Sequence, residues 1–200
     1  VDGRGRPLLP VPTPEWKRPA LASVYAITKH VQERLTLTLA PAYGMEGVAL
    51  RLWNVYGPGQ ALSNPYTGVL AIFASRIHNG QPPMIFEDGE QRRDFVHVDD
   101  CVAVALWLLE NPRVSGLFNV GSGRARSFLD LARALFAALG EPERIEFVDM
   151  PADLRGRYQY FTEAPLDRLR AAGYAAQPTP LEEGVRRYVQ EFLLAEDPHR

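Results

Sequence analysis

Val48-Ala49-Leu50-Arg51-Leu52-Trp53-Asn54 is a short, mostly apolar run, set off upstream by Gly44 and Gly47 and closed by a polar residue. Such a run suits a parallel-sheet strand buried on both faces, with Asn54 near its C-terminal end. Upstream, Val24, Ile27, Val31, Leu35 and Leu39 recur at near-helical spacing between Pro19 and Pro41, which predicts one long helix over residues 20–40. Downstream, residues 55–65 are rich in Gly, Pro, Asn and Ser and read as a loop, and a helical pattern runs from about Gly68 to Asn79. Met84-Ile85-Phe86 predicts a short strand and Asp88-Gly89 a turn. Residues 93–98 predict a second strand, leading into a helix opened by Asp99 or Asp100, with Val102, Ala105, Leu106 and Leu109 on one face. Residues 117–120 are strand-like, Gly121-Ser122-Gly123 is a turn, and Ser127 is the N-cap of a helix that Gly140 ends. A strand near 145–148, a loop over 151–159 and helices near 165–172 and 181–194 complete the alternation, which predicts an α/β fold.

Composition narrows the function classes. With 46% hydrophobic and 23% charged residues among 200, the chain can build a globular core. A formal charge of -2 gives no electrostatic reason to expect nucleic acid or an anionic membrane as partner. Cys101 is the single cysteine and forms no internal disulfide, and no apolar run approaches the roughly 20 residues that span a bilayer. The expected location is the cytoplasm. Residues 1–19 hold five Pro and no signal-peptide core, so the start reads as an exposed loop at a cut end. Four scattered histidines and the lone cysteine show no metal-ligand spacing, so no metal is expected, and no Gly-x-Ser-x-Gly elbow is present.

Tyr25 and Lys29 stand four apart on the long helix, so their side chains share one face and an ammonium can lie near a phenol. A free phenol ionises near ~10, so base catalysis near neutrality needs a shift of about 3 units, and a fixed cation favours the phenolate. Standing alone, the pair is an ordinary surface pair; its context makes it specific. That context is Ser23-Val24-Tyr25-Ala26-Ile27-Thr28-Lys29, then the strand ending Arg51-Leu52-Trp53-Asn54-Val55-Tyr56-Gly57-Pro58, then Arg92-Arg93-Asp94-Phe95-Val96-His97-Val98-Asp99-Asp100, then Phe118-Asn119-Val120-Gly121-Ser122-Gly123.

This ordered series, spanning about residues 20–189, resembles the NAD-dependent epimerase/dehydratase family, the extended short-chain dehydrogenase/reductases that act on nucleotide sugars. The resemblance implies the C-terminal part of a Rossmann-like parallel sheet over residues 1–60, carrying the Tyr/Lys helix. It implies a smaller α/β substrate-binding domain over 61–200, with some segments returning to the first sheet. NAD would be the bound cofactor and a nucleotide-diphosphate sugar the substrate, with a homodimer formed at full length through a helical bundle that includes the long helix. Tyr25 would be the catalytic base and acid, and Lys29 would hold the nicotinamide ribose and favour the phenolate. Asn54 and the Val55 backbone would lie beside nicotinamide and sugar, in the crevice at a strand's C-terminal edge. Arg93 would contact the diphosphate, its fork matching phosphate oxygens, where the plain alternative is an ion pair with Asp94 or Asp99. Asn119 and Arg157 would line the nucleotide pocket, with Arg155 an equal alternative to Arg157.

The family's Ser or Thr upstream of the Tyr, its glycine-rich loop and its acidic ribose ligand are not in this sequence. Gly121-Ser122-Gly123 is no substitute, since Arg126 fills the third glycine position, and no strand precedes Gly3-Arg4-Gly5. The expected reaction is inversion of a sugar carbon by transient oxidation, with a 4,6-dehydratase or a non-catalytic nucleotide-sugar-binding fragment as alternatives. Residues 60–69 with Phe86-Glu87-Asp88-Gly89 look like a dTDP-rhamnose 4-epimerase or a related sugar 4-epimerase. Residues 154–162 with Leu169-Arg170-Ala171-Ala172-Gly173-Tyr174 look like an ADP-heptose 6-epimerase.

Overall fold

The long helix is present as α1, Val24–Ala42, in the computed structural model, which describes residues 9–60, 68–155 and 158–194. Gly3-Arg4-Gly5, residues 61–67 and Arg157 lie outside the described residues. Ser23 caps α1, its hydroxyl accepting the Ala26 N–H at 3.1 Å, and Pro41 sits in the final turn, where the helix is already ending. After α1 come β1 (Val48–Leu52), β2 (Asn54–Tyr56), α2 (Val69–His78), β3 (Met84–Phe86), β4 (Arg92–His97) and α3 (Val98–Glu110). Then follow β5 (Gly116–Val120), β6 (Ala125–Ser127), α4 (Phe128–Leu139), β7 (Glu146–Val148), α5 (Ala152–Arg155), α6 (Asp167–Ala171) and α7 (Leu181–Arg187).

The strand expected over 48–54 is two strands. Trp53 donates its N–H to Val120 at 3.0 Å, the last bond toward β5, and from Asn54 onward the chain pairs with β4 instead. Both pairings are parallel, β1 with β5 (Val48 opposite Gly116) and β2 with β4 (Asn54 opposite Phe95). β6, not foreseen, runs antiparallel to β4, and β3 pairs parallel with β7. The expected loop after β7 contains the helical turn α5, and the last expected helix divides into α7 and a π-helical turn, Tyr188–Leu193, closed by Leu194 N–H to the Val189 carbonyl at 2.9 Å.

β4 serves two cores because successive side chains on a strand point to opposite faces. Phe95 joins Leu70, Phe73, Leu135 and Tyr188 among α2, α4 and the π-helical turn, whereas Val96 joins Val104, Leu108, Phe118 and Leu169 among α3, β5 and α6. The helical phase of α3 corrects the expected face. Cys101, Val104 and Leu108 are the buried residues, while Val102, Leu106 and Leu109 face outward. The apolar stripe of α1 is likewise open: Val24, Ile27, Val31, Leu35 and Leu39 are all exposed, and Ala40 alone is buried.

The cap of α3 is neither Asp99 nor Asp100 but His97, whose buried Nδ1 accepts the Asp99 N–H at 3.3 Å. That bond requires an unprotonated Nδ1, and desolvation lowers the His97 pKa, with the Asp99 carboxylate opposing. A histidine depressed in the fold contributes stability that is present above its unfolded value of about 6.5 and is lost as pH falls through the folded value. Melting temperature should therefore drop on acidification below about pH 6.5. His97→Asn, a good cap that does not titrate, should flatten that profile; identical slopes for the two proteins would rule out His97 as the titrating group.

Candidate active site

Tyr25 and Lys29 lie together on the first turns of α1, with Lys29 Nζ 5.7 Å from the Tyr25 ring centroid and donating to Gln32 Oε1 at 3.3 Å. Tyr25 is 72% exposed. Both side chains line an open groove of about 560 Å³ whose other wall is the Ala49–Leu52 stretch of β1. Asn54 begins two residues beyond that wall, at the point where the chain changes strand partner. Asn54 is exposed and Val55 half-buried, and neither is among the residues that line the groove.

Arg93 stands on β4, two residues along from Phe95, the partner of Asn54. Its guanidinium carbon lies 5.5 Å from the Phe128 ring centroid and 5.3 Å from that of Tyr158, and its Nη1 donates to the Arg92 carbonyl at 2.9 Å. Burial lowers its pKa, with the Tyr158 phenol opposing, yet a guanidinium stays charged at neutral pH. The alternative ion pair is not formed, because Asp94 and Asp99 are occupied elsewhere; Asp99 meets Arg187 at 2.8 Å. A guanidinium beside two rings still carries several N–H donors, and its fork is suited to phosphate oxygens. Phe128 and Tyr158 escaped the sequence reading. The only signal was the aromatic run Tyr158-Gln159-Tyr160-Phe161 in an otherwise polar loop.

Asp94 explains the Gly121-Ser122-Gly123 turn. It is fully buried, and its carboxylate accepts Ser122 N–H at 2.6 Å, the Ser122 hydroxyl at 2.7 Å, Gly123 N–H at 3.0 Å and Ala164 N–H at 2.9 Å. Burial raises its pKa against these four donors. A side chain at Gly121 would strike Asp94 and Ala164, so the glycine is there for close packing, and the turn is a structural joint. Ser127 caps α4 as expected, in a capping box with Asp130.

Asn119 sits beneath a strap formed by residues 13–15. Its side-chain amide donates to the Thr13 carbonyl at 3.0 Å and its backbone N–H to Glu15 Oε1 at 2.9 Å, and Thr13 N–H bonds the Glu163 carbonyl at 2.9 Å. Asn119 is completely buried there, with Oδ1 unpartnered among the described residues. Arg155 donates to the Met150 carbonyl at 3.2 Å and faces Glu87 at 3.9 Å. Among the described residues no group of three or more His, Cys, Asp or Glu side chains could hold a metal ion, and no helix is long and apolar enough to cross a membrane.

In open α/β sheets ligands bind in the crevice outside the C-terminal ends of the strands, where β1 gives way to Asn54. A profile of the NAD dependent epimerase/dehydratase family matches residues 7–121, and the chain belongs to that family. Over 162 residues it is 44% identical to an ADP-L-glycero-D-manno-heptose-6-epimerase from Nitratidesulfovibrio vulgaris (strain DP4), covering 77% of this chain and 50% of that protein. The chain thus spans about half the length of that relative. Its structure is similar to that of a UDP-N-acetylglucosamine 4-epimerase from Methanobrevibacter ruminantium M1 in complex with UDP-N-acetylmuramic acid, with a TM-score of 0.79, 28% identity, and coverage of 92% of this chain and 57% of that one. It is also similar to a UDP-glucose 4-epimerase with UDP-glucose from Thermotoga maritima, with a TM-score of 0.76, 31% identity, and coverage of 93% and 58%. The fold is therefore the Rossmann-like α/β fold of nucleotide-sugar epimerases.

Proposed function

We propose that this chain carries the proton-transfer helix and the nucleotide-sugar side of an NAD-dependent epimerase. The observation that carries the reading is the Tyr25/Lys29 pair on one wall of a groove whose other wall is the Ala49–Leu52 stretch of β1. The groove is open, and its lining sets Tyr25 and Lys29 beside His30, Gln32, Glu33, Arg51 and apolar β1 residues; the phenol and the ammonium are the groups that would meet a nicotinamide riboside. NAD, when bound, supplies the hydride acceptor. This chain's part is proton placement: Tyr25 takes the proton of a sugar hydroxyl and gives it back, Lys29 holds ribose hydroxyls, and Asn54 with the Val55 backbone orients the ring beside them.

Arg93, with the rings of Phe128 and Tyr158 beside its guanidinium, is assigned to the substrate diphosphate. For Asn119 the proposed role is indirect, holding the strap rather than touching the nucleotide, and Arg157 remains assigned to the nucleotide pocket by resemblance alone. The core that joins β1, α3, β5 and α6 is assigned to the cofactor-side sheet, and the core around α2, α4 and α7 to the substrate side. The open apolar stripe of α1 is assigned to a second copy of the protein; a monomer by light scattering at high concentration would exclude that dimer.

Relatives named as heptose 6-epimerases favour an ADP-heptose substrate over a dTDP-hexose. The deciding assay supplies each nucleotide sugar to the enzyme and follows, by NMR, which carbon inverts. Loss of water in place of inversion would favour the dehydratase reading, and no conversion of any nucleotide sugar would overturn the proposal. Arg93→Ala should weaken nucleotide-sugar binding by about 10- to 100-fold and Arg93→Lys by nearly as much, because an ammonium keeps the charge and loses the fork. Unchanged affinity in a titration of Arg93→Ala would remove Arg93 from the site.

A further inference from the structure

Arg51 is a charged residue in the middle of apolar β1, and its partners lie on two other segments. Its Nε and Nη2 fork onto Glu33 of α1 at 2.8 and 3.0 Å, and its Nη1 donates to the Glu15 carbonyl in the strap at 3.1 Å. Glu15 is fixed in turn, because its buried carboxylate accepts the Asn119 N–H, and Asn119 is the register partner of Arg51 across the β1/β5 pair. One guanidinium thus joins strand, strap and helix.

Within one copy, and among the described residues, α1 has little else to hold it. Its extensive packing is against β1, its apolar stripe is open, and its one buried residue, Ala40, closes against Gly47 near its C-terminal end. Tyr25 lies fifteen residues from Ala40, about 22 Å along a helix. A tilt of about 5° about that end would carry the phenol roughly 2 Å, and a 1 Å misplacement already costs about 10²-fold in rate. Glu33 is held between the two, where a clamp resists such a tilt.

We propose that Arg51 is a positioning residue: through its fork on Glu33 and its bond to Glu15 it fixes the inclination of α1 and so the place of Tyr25 and Lys29. The inference rests on the epimerase reading for its catalytic consequence, and on geometry alone for its mechanical one.

Two measurements separate these. Spin labels at Thr28→Cys and Ser115→Cys, with Cys101→Ala in all chains, report the α1-to-β5 distance by pulsed electron resonance. The parent should give a narrow distribution, Glu33→Gln and Arg51→Met one at least about twice as broad, and Arg51→Lys an intermediate one. Glu33→Gln keeps the fold testable should Arg51→Met fail to fold, and an unchanged width in Glu33→Gln overturns the clamp. In the enzyme as the cell makes it, the same variants should lower kcat about 10²-fold with KM for the nucleotide sugar nearly constant. An undiminished kcat, or a loss confined to KM, overturns the positioning role. A parent enzyme that converts no nucleotide sugar defeats the epimerase reading, while the distance measurement still decides the clamp.

Discussion

Tyr25→Phe is expected to lower kcat for sugar epimerisation by about 10²- to 10⁴-fold while leaving nucleotide-sugar affinity within about threefold of the parent. The substitution removes one oxygen from a side chain that is 72% exposed and packs little, so the fold should not register it. Only the proton has lost its carrier. The ring that Lys29 lies over is retained, so any binding that depends on the ammonium also survives. Steady-state kinetics together with a binding titration read the two halves separately. Turnover at more than about a tenth of the parent rate would show that another group moves the proton. A matching loss of affinity would show that Tyr25 binds substrate instead.

Asp94→Ala is expected to lower stability by about 3–4 kcal/mol, read as a fall in melting temperature of roughly 10 °C for a chain of this size. Three backbone N–H groups and the Ser122 hydroxyl converge on this one carboxylate inside the protein. Alanine strips all four donors of their acceptor at once. The donors lie on two separate segments, the turn after β5 and the loop carrying Ala164, so the loss also frees those segments from β4. Asp94→Asn should be nearly as harmful, because its amide nitrogen turns donors toward donors. A melting temperature within about 2 °C of the parent for Asp94→Ala would mean that water replaces the carboxylate at little cost.

Much of the architecture can be read from spacing. Apolar residues every three or four positions between two prolines defined α1, and the Ser127 and Gly140 signals bounded α4 correctly because caps act within a few residues of themselves. The change of partner at Trp53 could not be read. A run of apolar residues looks the same whether it stays beside β5 or crosses to β4, since the choice is made by a strand that comes tens of residues later. The α3 cap was misplaced for a related reason: Asp99 and Asp100 suit a helix start electrostatically, but the side chain that closes the first turn is two residues earlier. Periodicity also revealed apolar faces on α1 and α3 without revealing that both are open.

The candidate site divides along the same line. Tyr25 and Lys29 were legible because positions four apart on a helix must share a face. Arg93 was legible as a cation, but its two aromatic neighbours were not, because Phe128 and Tyr158 approach it only through tertiary folding. The strap over Asn119 was hidden similarly, by bonds that join residues more than a hundred positions apart.

The sharing of β4 between two cores bears on how the chain comes apart. Phe95 and Val96 are neighbours on one backbone, yet each anchors a different hydrophobic cluster. Neither cluster can dissolve without loosening the strand that the other needs, so the two are expected to melt in one transition. An injury on one side therefore weakens the other, and a lesion far from Tyr25 in sequence can silence it by lowering the amount of folded protein, with every residue of the site left intact.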